Sequence, residues 1–424
     1  MSKSVTTASH LFRAALSVSA VLLAGTQAAH ATDGYFLNGA GKAKGAGGAG
    51  IALPLDAMSL AANPAAATEL GERLNLGAEV FVPSRGAVIH GNGAGLNGTW
   101  SGNGANPFVL PELGYVRPLS SRVAIGITIS GNGGMNTHYS QNPFASFGAT
   151  GSAGVDLKQV FVAPTVAVRL AEGHSIGVSP LLLIQAFEMN GIQPFTAASA
   201  DPTHMSNQGT SWSTGYGVRV GYLGKLNDAI SIGAFYQSKV AASPFRKYAG
   251  LFADHGDFDV PASWGGGVAI KATPALTFAA DFKRIEYSGV GSVGNPLARL
   301  FSNVPFGAAN GPGFGWHDIN AVKAGVHYKL NNKLTLRAGY GHSDNPVPAS
   351  ETFLNILAPG VVTHHITAGA TVALNQGLEL SLYAMHAPRQ TVKGSGSIPS
   401  SYGSGEADVH LSETATGFSL GFIF

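Results

Sequence analysis

Four cations, Arg219, Lys323, Lys329 and Arg337, stand on the polar face of stretches in which apolar and polar residues alternate. Cations among apolar walls are what an amphipathic acid requires, the charge for its carboxylate and the walls for its tail. The same four residues also fit solvated charges lining the inside of a strand-built wall. Other chemistry is thinner. Gly45, Gly47 and Gly50 have the spacing of a dinucleotide-binding loop, but no strand precedes them and no βαβ unit surrounds them. His364 and His365 are adjacent in an extended stretch, so they point to opposite faces and cannot jointly ligate a metal. Asp254, Asp257 and Asp259, with His255 among them, either offer hard oxygen ligands to Ca²⁺ or are the ordinary acids of an exposed loop. No serine sits in a G-x-S-x-G elbow, so an enzyme is not expected, and no metal or other cofactor is assigned.

The elements that must position these cations are strands. Val322, Ala324, Val326, Tyr328 and Leu330 alternate with Lys323, Gly325, His327 and Lys329. Leu334, Leu336, Ala338 and Tyr340 alternate with Thr335, Arg337 and Gly339, and Leu378, Leu380, Leu382 and Ala384 with Glu379, Ser381, Tyr383 and Met385. One face is apolar and the other mixed, the signature of a strand with lipid on one side and a lumen on the other. Fourteen such stretches begin near 73, 108, 121, 155, 173, 212, 229, 262, 275, 316, 333, 361, 377 and 408. Connections after even-numbered strands are tight and polar (Arg117 to Arg122, Ala171 to His174, Lys225 to Asp228, Ala272 to Ala275, Asn331 to Lys333, Asn375 to Gly377), and those after odd-numbered strands are long. Short periplasmic turns alternating with long external loops separate a membrane barrel from a soluble sandwich and place both ends of the chain in the periplasm. Trp212, Trp264 and Trp316 fall at the outer starts of even strands, where an aromatic girdle is expected.

Composition agrees. Of 424 residues 11% are charged and 45% hydrophobic, yet no apolar run reaches the roughly 18 residues of a membrane-spanning helix. The fold class that follows is all-β: a 14-stranded antiparallel transmembrane β-barrel over residues 73–424. A net charge of +2, scattered along the chain, leaves no basic stripe for nucleic acid.

Residues 1–31 read as a secretory signal, with Lys3 and Arg13, an apolar stretch from Ala14 to Ala24 and a small-residue site ending at Ala31. The chain has no cysteine, hence neither a lipoprotein anchor nor a disulfide. Residues 32–72 lack strand alternation, being glycine-rich from Gly39 to Gly50 and then weakly helical and apolar from Ile51 to Leu70. A barrel this wide is not filled by its own side chains, so this segment is expected as an N-terminal hatch, or plug, inside the lumen. Its residues Ile51, Leu53, Leu55, Met58 and Leu60 need a partner other than water, and an apolar ligand is one candidate.

Gly34, Tyr35, Phe36, Leu37 and Asn38, the glycine-rich stretch, and then Asn63, Pro64 and Ala65 resemble the hatch of the outer-membrane long-chain fatty-acid and hydrocarbon transporters, the FadL family. Leu336 to Gly339 with Pro346, Val347 and Pro348 resembles a late strand and loop of that family, and Pro261 with Trp264 another strand start. The resemblance covers the chain beyond the signal. It implies passive uptake: an external hydrophobic groove captures the substrate, an internal pocket near the hatch holds it, and hatch movement releases it sideways into the membrane beside a kinked third strand. In this chain that strand is Ser121 to Ser130, followed by Gly131, Asn132, Gly133 and Gly134, which either bend the strand or begin a loop. The resemblance further implies Asn63, Pro64 and Ala65 as the hatch contact with the opening, Tyr35, Phe36 and Leu37 as pocket and hatch residues, and Arg337 as the first choice of cation for a carboxylate.

Phe245, Tyr248, Leu251 and Phe252 in the fourth loop, with Leu297, Leu300, Phe301, Val304 and Phe306 in the fifth, concentrate more apolar surface than a water-facing loop carries. They either collect hydrophobic substrate or pack on one another to close the barrel top. The expected setting is the outer membrane of a Gram-negative bacterium, as a monomer among outer-membrane lipid and lipopolysaccharide, inserted by the barrel-assembly machinery acting on the terminal Phe424. An aqueous porin and a surface barrel serving adhesion or phage attachment are the other readings.

Overall fold

A computed structural model of the chain describes residues 41–424. The signal expected over 1–31, and Tyr35, Phe36 and Leu37, lie outside the described residues. Fourteen strands form the wall: β1 Arg73–His90, β2 Phe108–Pro118, β3 Val123–Asn136, β4 Gly154–Ala171, β5 His174–Asn190, β6 Ser211–Lys225 and β7 Ile230–Gln237, then β8 Ser263–Lys271, β9 Leu276–Ile285, β10 Ile319–Lys329, β11 Leu334–Ser343, β12 His364–Ala373, β13 Leu378–Val392 and β14 Glu406–Ile423. Each pairs antiparallel with its chain neighbours. β14 pairs back onto β1 from Arg73↔Ile423 to His90↔Glu406, which closes the barrel and removes both sheet edges. Two short strands, Gly98–Ser101 on β1 and Ala241–Ala242 on β6, hang from the wall without belonging to it.

The period-2 pattern sets which side chain meets lipid. On β11, Leu336, Ala338 and Tyr340 are exposed on the outside while Arg337, Gly341 and Ser343 are buried inside. β13 repeats the arrangement, with Leu382 and Ala384 outward and Glu379, Ser381, Tyr383 and Met385 inward. No helix among the described residues is long and apolar enough to cross a membrane. The short turns are built by their own side chains: Asn331 Oδ1 accepts from the N–H groups of Lys333 and Leu334, Asn227 Oδ1 from Ala229 and Ile230, and Thr273 Oγ1 from Ala275 and Leu276.

Two of the three tryptophans are exposed on the outer face, Trp212 and Trp264. Trp316 is not part of the girdle. Its strand begins three residues later than the alternation suggests, at Ile319, and the preceding glycine-rich loop turns the indole inward, where it is 4% exposed and donates to Asn355 Oδ1 at 2.6 Å.

The largest apolar core joins the external loops to inward-facing residues at the outer ends of the strands, such as Phe81, Leu157, Phe187, Met385 and Val409. Phe187, Phe252 and Phe258 pack there as tilted rings with successive centroids 4.7 Å apart, and Tyr248 meets Phe187 edge-on at 4.8 Å.

β3 continues through its glycines, so they lie inside a strand and not at a loop start. Its ladder to β4 shifts between Gly131 and Gly133, leaving Asn132 as the extra residue of a bulge. On the other side the ladder to β2 runs from Pro118↔Ala124 to Leu113↔Ile129 and stops there, so Phe108–Glu112 and Ser130–Asn136 do not pair with each other. The wall is interrupted at that height.

Candidate functional site

Residues 41–70 lie across the lumen and touch the wall on most sides. The close fit comes from glycines at inward positions. A Cβ on Gly221 of β6 would lie 2.1 Å from Asn63 Oδ1, on Gly177 of β5 2.3 Å from the Pro64 backbone, and on Gly233 of β7 2.4 Å from the Ile51 carbonyl. Gly325 and Gly339, on β10 and β11, meet the Ala46 backbone in the same way, Gly369 of β12 meets Gly45, and Gly114 and Gly126 admit Met58 and Leu60. Backbone against backbone at this distance excludes any side chain.

Polar contacts fix the orientation. Asp281 of β9 accepts from the N–H groups of Gly50 and Ile51 at 2.7 and 3.0 Å, and Thr367 Oγ1 accepts from Gly47 N–H at 2.7 Å. Lys42 and Arg73 converge on Glu379, each at 2.6 Å, while Lys44 lies 3.0 Å from Glu79. All five of these charged side chains are nearly inaccessible to water, and removing Glu379 takes the shared carboxylate from two buried cations, at a cost of about 3–5 kcal/mol. At the exit from the hatch, Glu69 pairs with Arg169 and Lys225.

Asn63 caps the turn Pro64–Glu69, accepting from Ala65 N–H, and its Nδ2 donates to the carbonyls of Ile51 and Tyr222 at 2.9 and 2.8 Å. Asn63, Pro64 and Ala65 therefore sit against β5 and β6. Met58 and Leu60, on the preceding turn, meet Gly114 and Gly126 in the paired part of the β2–β3 ladder. The apolar hatch residues are also largely spent on the wall: Met58 and Leu60 are fully buried in the glycine seat, while Ile51 lines a small hollow.

Above the hatch lies a cavity of about 100 Å³. Met135, Leu157, Phe258, Ile285, Phe314 and Trp316 give it apolar walls, and Asn132, Gln159, Gln237 and Lys283 give it polar ones. Asn132, Gly133, Gly134 and Met135 bring its edge to the bulge in β3. The amides form a relay across neighbouring strands: Asn132 donates to Gln159 at 3.0 Å, Gln159 to Gln185 at 2.8 Å, and Gln185 to Ser213 and the Phe258 carbonyl at 3.1 and 3.0 Å. A smaller hollow of about 20 Å³ continues down to Ile51 and Ala61, with Gln237 and Lys283 lining both spaces.

Among the four cations singled out in the sequence, Arg219 and Lys323 line the lower hollow; Arg219 donates to the carbonyl of Ala61 and to Gln237. Arg337 is buried against His327 and Thr371, at 3.0 and 2.7 Å, and lines neither space. Lys329 is exposed at a turn. Lys283, which sequence reasoning passed over, reaches both spaces; its inward parity on β9 was the available signal.

An outer groove of about 40 Å³ opens among the loops, lined by Leu251, Leu300, Phe144, Phe195, Phe353 and Leu357 with other apolar side chains. Of the loop residues expected to capture substrate, Leu251, Leu297, Leu300 and Phe306 border it. Phe245, Tyr248 and Phe252 are buried beneath in the loop core, and Phe301 is exposed by itself. Loop packing and groove are thus both present, and they share residues: Leu251, Leu297 and Phe306 are buried in the loop core and also line the groove.

The acidic loop holds no candidate metal cluster among the described residues. Asp259 pairs with Lys239 at 2.8 Å, and Asp254 accepts from Asn310 N–H. Burial, and then the neighbouring Asp259, push the Asp257 carboxyl up to about 6. The folded loop therefore holds that proton more tightly than an unfolded carboxylate does, and the stabilisation is lost as pH rises through about 6. Amide exchange across 253–260 is expected to quicken a few-fold from pH 5 to pH 8 after correction for intrinsic rates, and Asp257→Asn to abolish the difference. Equal pH dependence in the variant refutes this assignment.

A family model described as outer membrane protein transport protein (OMPP1/FadL/TodX) matches residues 16–422. Comparison with curated proteins finds no match. Among solved structures, the P. putida toluene transporter TodX superposes with a TM-score of 0.68 at 18% identity, over 92% of this chain and 99% of that one. A Pseudomonas aeruginosa FadL homologue gives 0.67 at 16% identity, over 94% and 100%. The Ralstonia pickettii toluene transporter TbuX gives 0.64 at 18%, over 92% and 99%. At such identities the likeness establishes a shared fold.

Proposed function

Since this chain belongs to the outer membrane transport protein family OMPP1/FadL/TodX, we propose that it is a passive outer-membrane uptake channel for hydrophobic compounds, long-chain fatty acids or related hydrocarbons. One observation carries the reading: a largely apolar cavity sits above a tightly seated hatch and reaches the wall where the β2–β3 ladder stops. A molecule held there has lipid beside it and a closed seat below, so release runs sideways through the wall. The outer groove, with Leu251 and Leu300 on its rim, supplies capture.

In this reading residues 1–31 are removed as a signal, 32–72 form the hatch and 73–424 the barrel, a monomer surrounded by outer-membrane lipid and lipopolysaccharide and inserted through its terminal Phe424. Tyr35, Phe36 and Leu37 contribute to the hatch and pocket. The carboxylate of an acid substrate lies at Lys283 in preference to Arg337, because Lys283 borders the cavity. A porin is disfavoured by the glycine seat, which leaves little room for a water column. An adhesin has no use for either.

Titration of purified protein with a long-chain fatty acid and with an alkylbenzene tests this. Both are expected to bind. Lys283→Met is expected to weaken the acid by about tenfold or more, the worth of a charge-assisted hydrogen bond, and to leave the alkylbenzene unchanged. Rapid liposome swelling with small sugars, combined with no affinity for either ligand, establishes the porin instead.

A further inference from the structure

We propose that Trp316 and Asn355 form a gate between the outer groove and the inner cavity, carried on a glycine hinge and fastened by Glu351. The proposal rests on the uptake reading above and concerns a step within it. Trp316 and Phe314 line the inner cavity, whereas Phe353, Leu354 and Leu357 line the outer groove. Asn355 stands between these two sets, fully buried. It accepts the indole N–H of Trp316 at 2.6 Å, and its Nδ2 donates to the carbonyls of Phe314 and Glu351, both at 2.8 Å. One amide thereby ties the fifth loop, which carries the aromatics, to the sixth, which borders the groove. The Glu351 carboxylate adds a second tie, accepting from Leu297 N–H at 3.0 Å, and Leu297 is itself a groove residue.

Backbone bonds hold the segment as well, from Phe314 N–H to Ser292, Gly315 N–H to Asn295, Trp316 N–H to Val293 and His317 N–H to Pro346, so the indole bond to Asn355 is the tie that a rotation of the Trp316 side chain breaks. Residues 311–318 contain three glycines and a proline and belong to no helix or strand, and Gly315 has φ +69°, in the left-handed region that glycine adopts without strain. A hinge of this kind lets the indole swing while both barrel strands stay in their ladders.

A Cβ built on Gly315 would lie 2.5 Å from Cγ of Glu351, so cysteines at these two positions come within disulfide reach, in a chain that has no other cysteine. The test follows loading of a fatty acid bearing an environment-sensitive fluorophore by stopped-flow, together with its equilibrium titration. Wild type is expected to show a fast groove phase and a slow cavity phase. Oxidised Gly315→Cys/Glu351→Cys is expected to keep the fast phase and slow the second by about tenfold or more, with recovery on reduction. Asn355→Leu, which keeps the side-chain volume but removes the ties and lines neither space, is expected to speed the second phase about threefold while the equilibrium affinity stays within a factor of about two, as a gate changes ingress and egress together. An oxidised variant that loads at the wild-type rate, or an Asn355→Leu that folds and shifts affinity while leaving the rate alone, overturns the gate. Wild-type protein that takes up no probe overturns the uptake reading, a result obtained before any substitution is made.

Discussion

Gly221→Val is expected to turn a closed barrel into an ion-conducting one. The first added carbon would stand 2.1 Å from Asn63 Oδ1 and 2.8 Å from Pro64 Cδ, well inside van der Waals contact. The wall cannot yield, because β6 is held by ladders on both sides, to β5 and β7. Asn63 must therefore move. It then gives up its bonds to Ile51, Tyr222 and Ala65, each worth about 1 kcal/mol net and more where a buried partner is left unsatisfied. That loss removes the cap of the Pro64–Glu69 turn and unseats the hatch from one side of the lumen. Single-channel recording is expected to change from a closed trace to sustained conductance, with sensitivity to large polar antibiotics appearing in cells. Folding is checked separately by retained heat-modifiable mobility. Gly71→Ala, where an added Cβ meets nothing within 4 Å, is the matched control. A Gly221→Val barrel that remains closed while its fold is intact contradicts the view that the glycine seat holds the hatch.

Deleting Asn132 is expected to abolish uptake while sparing binding. Asn132 is the surplus residue of the bulge, and its removal leaves Gly131 opposite Val160 and Gly133 opposite Gln159 with no change of facing elsewhere. β3 can then straighten and extend its ladder to Phe108–Glu112, closing the interruption beside the cavity. The cost is the hydrogen bond from Asn132 to Gln159, about 1 kcal/mol. Transfer of a hydrophobic probe across proteoliposome membranes is expected to fall by about tenfold or more, a barrier change of at least about 1.4 kcal/mol, with affinity altered only a few-fold. Equal loss of affinity and transfer assigns the bulge to the pocket and not to release. Unaltered transfer removes lateral passage from the mechanism.

Much of this was legible before any coordinates. The alternation around Lys323, Arg337 and Glu379 assigns each residue its face correctly, since facing depends on the nearest neighbours in sequence and on the pleat alone. The short turns are likewise written locally, in Asn227, Thr273 and Asn331. The inward glycines were legible in principle: Gly221, Gly233, Gly267, Gly325, Gly339 and Gly369 all fall on the lumen side of their alternations, and that parity was the unused sign of a seat. Other assignments could not be made this way. Trp316 looks like Trp212 in local sequence, yet a loop with three glycines and a proline leaves its direction to whatever packs against it. Asn63, Pro64 and Ala65 form a recognisable capped turn, but their neighbours in space come from strands more than a hundred residues away.

The sequence by itself determined the class of wall, the number of its strands and which side of each meets lipid, because a period of two is a property of the backbone that every strand carries independently. Tertiary structure alone decided where the hatch lies against that wall, that the β2–β3 ladder ends at Leu113↔Ile129, and which loop aromatics border the groove. Those outcomes depend on register and on long-range contacts, in which residues far apart compete for the same space, and no local pattern records the winner.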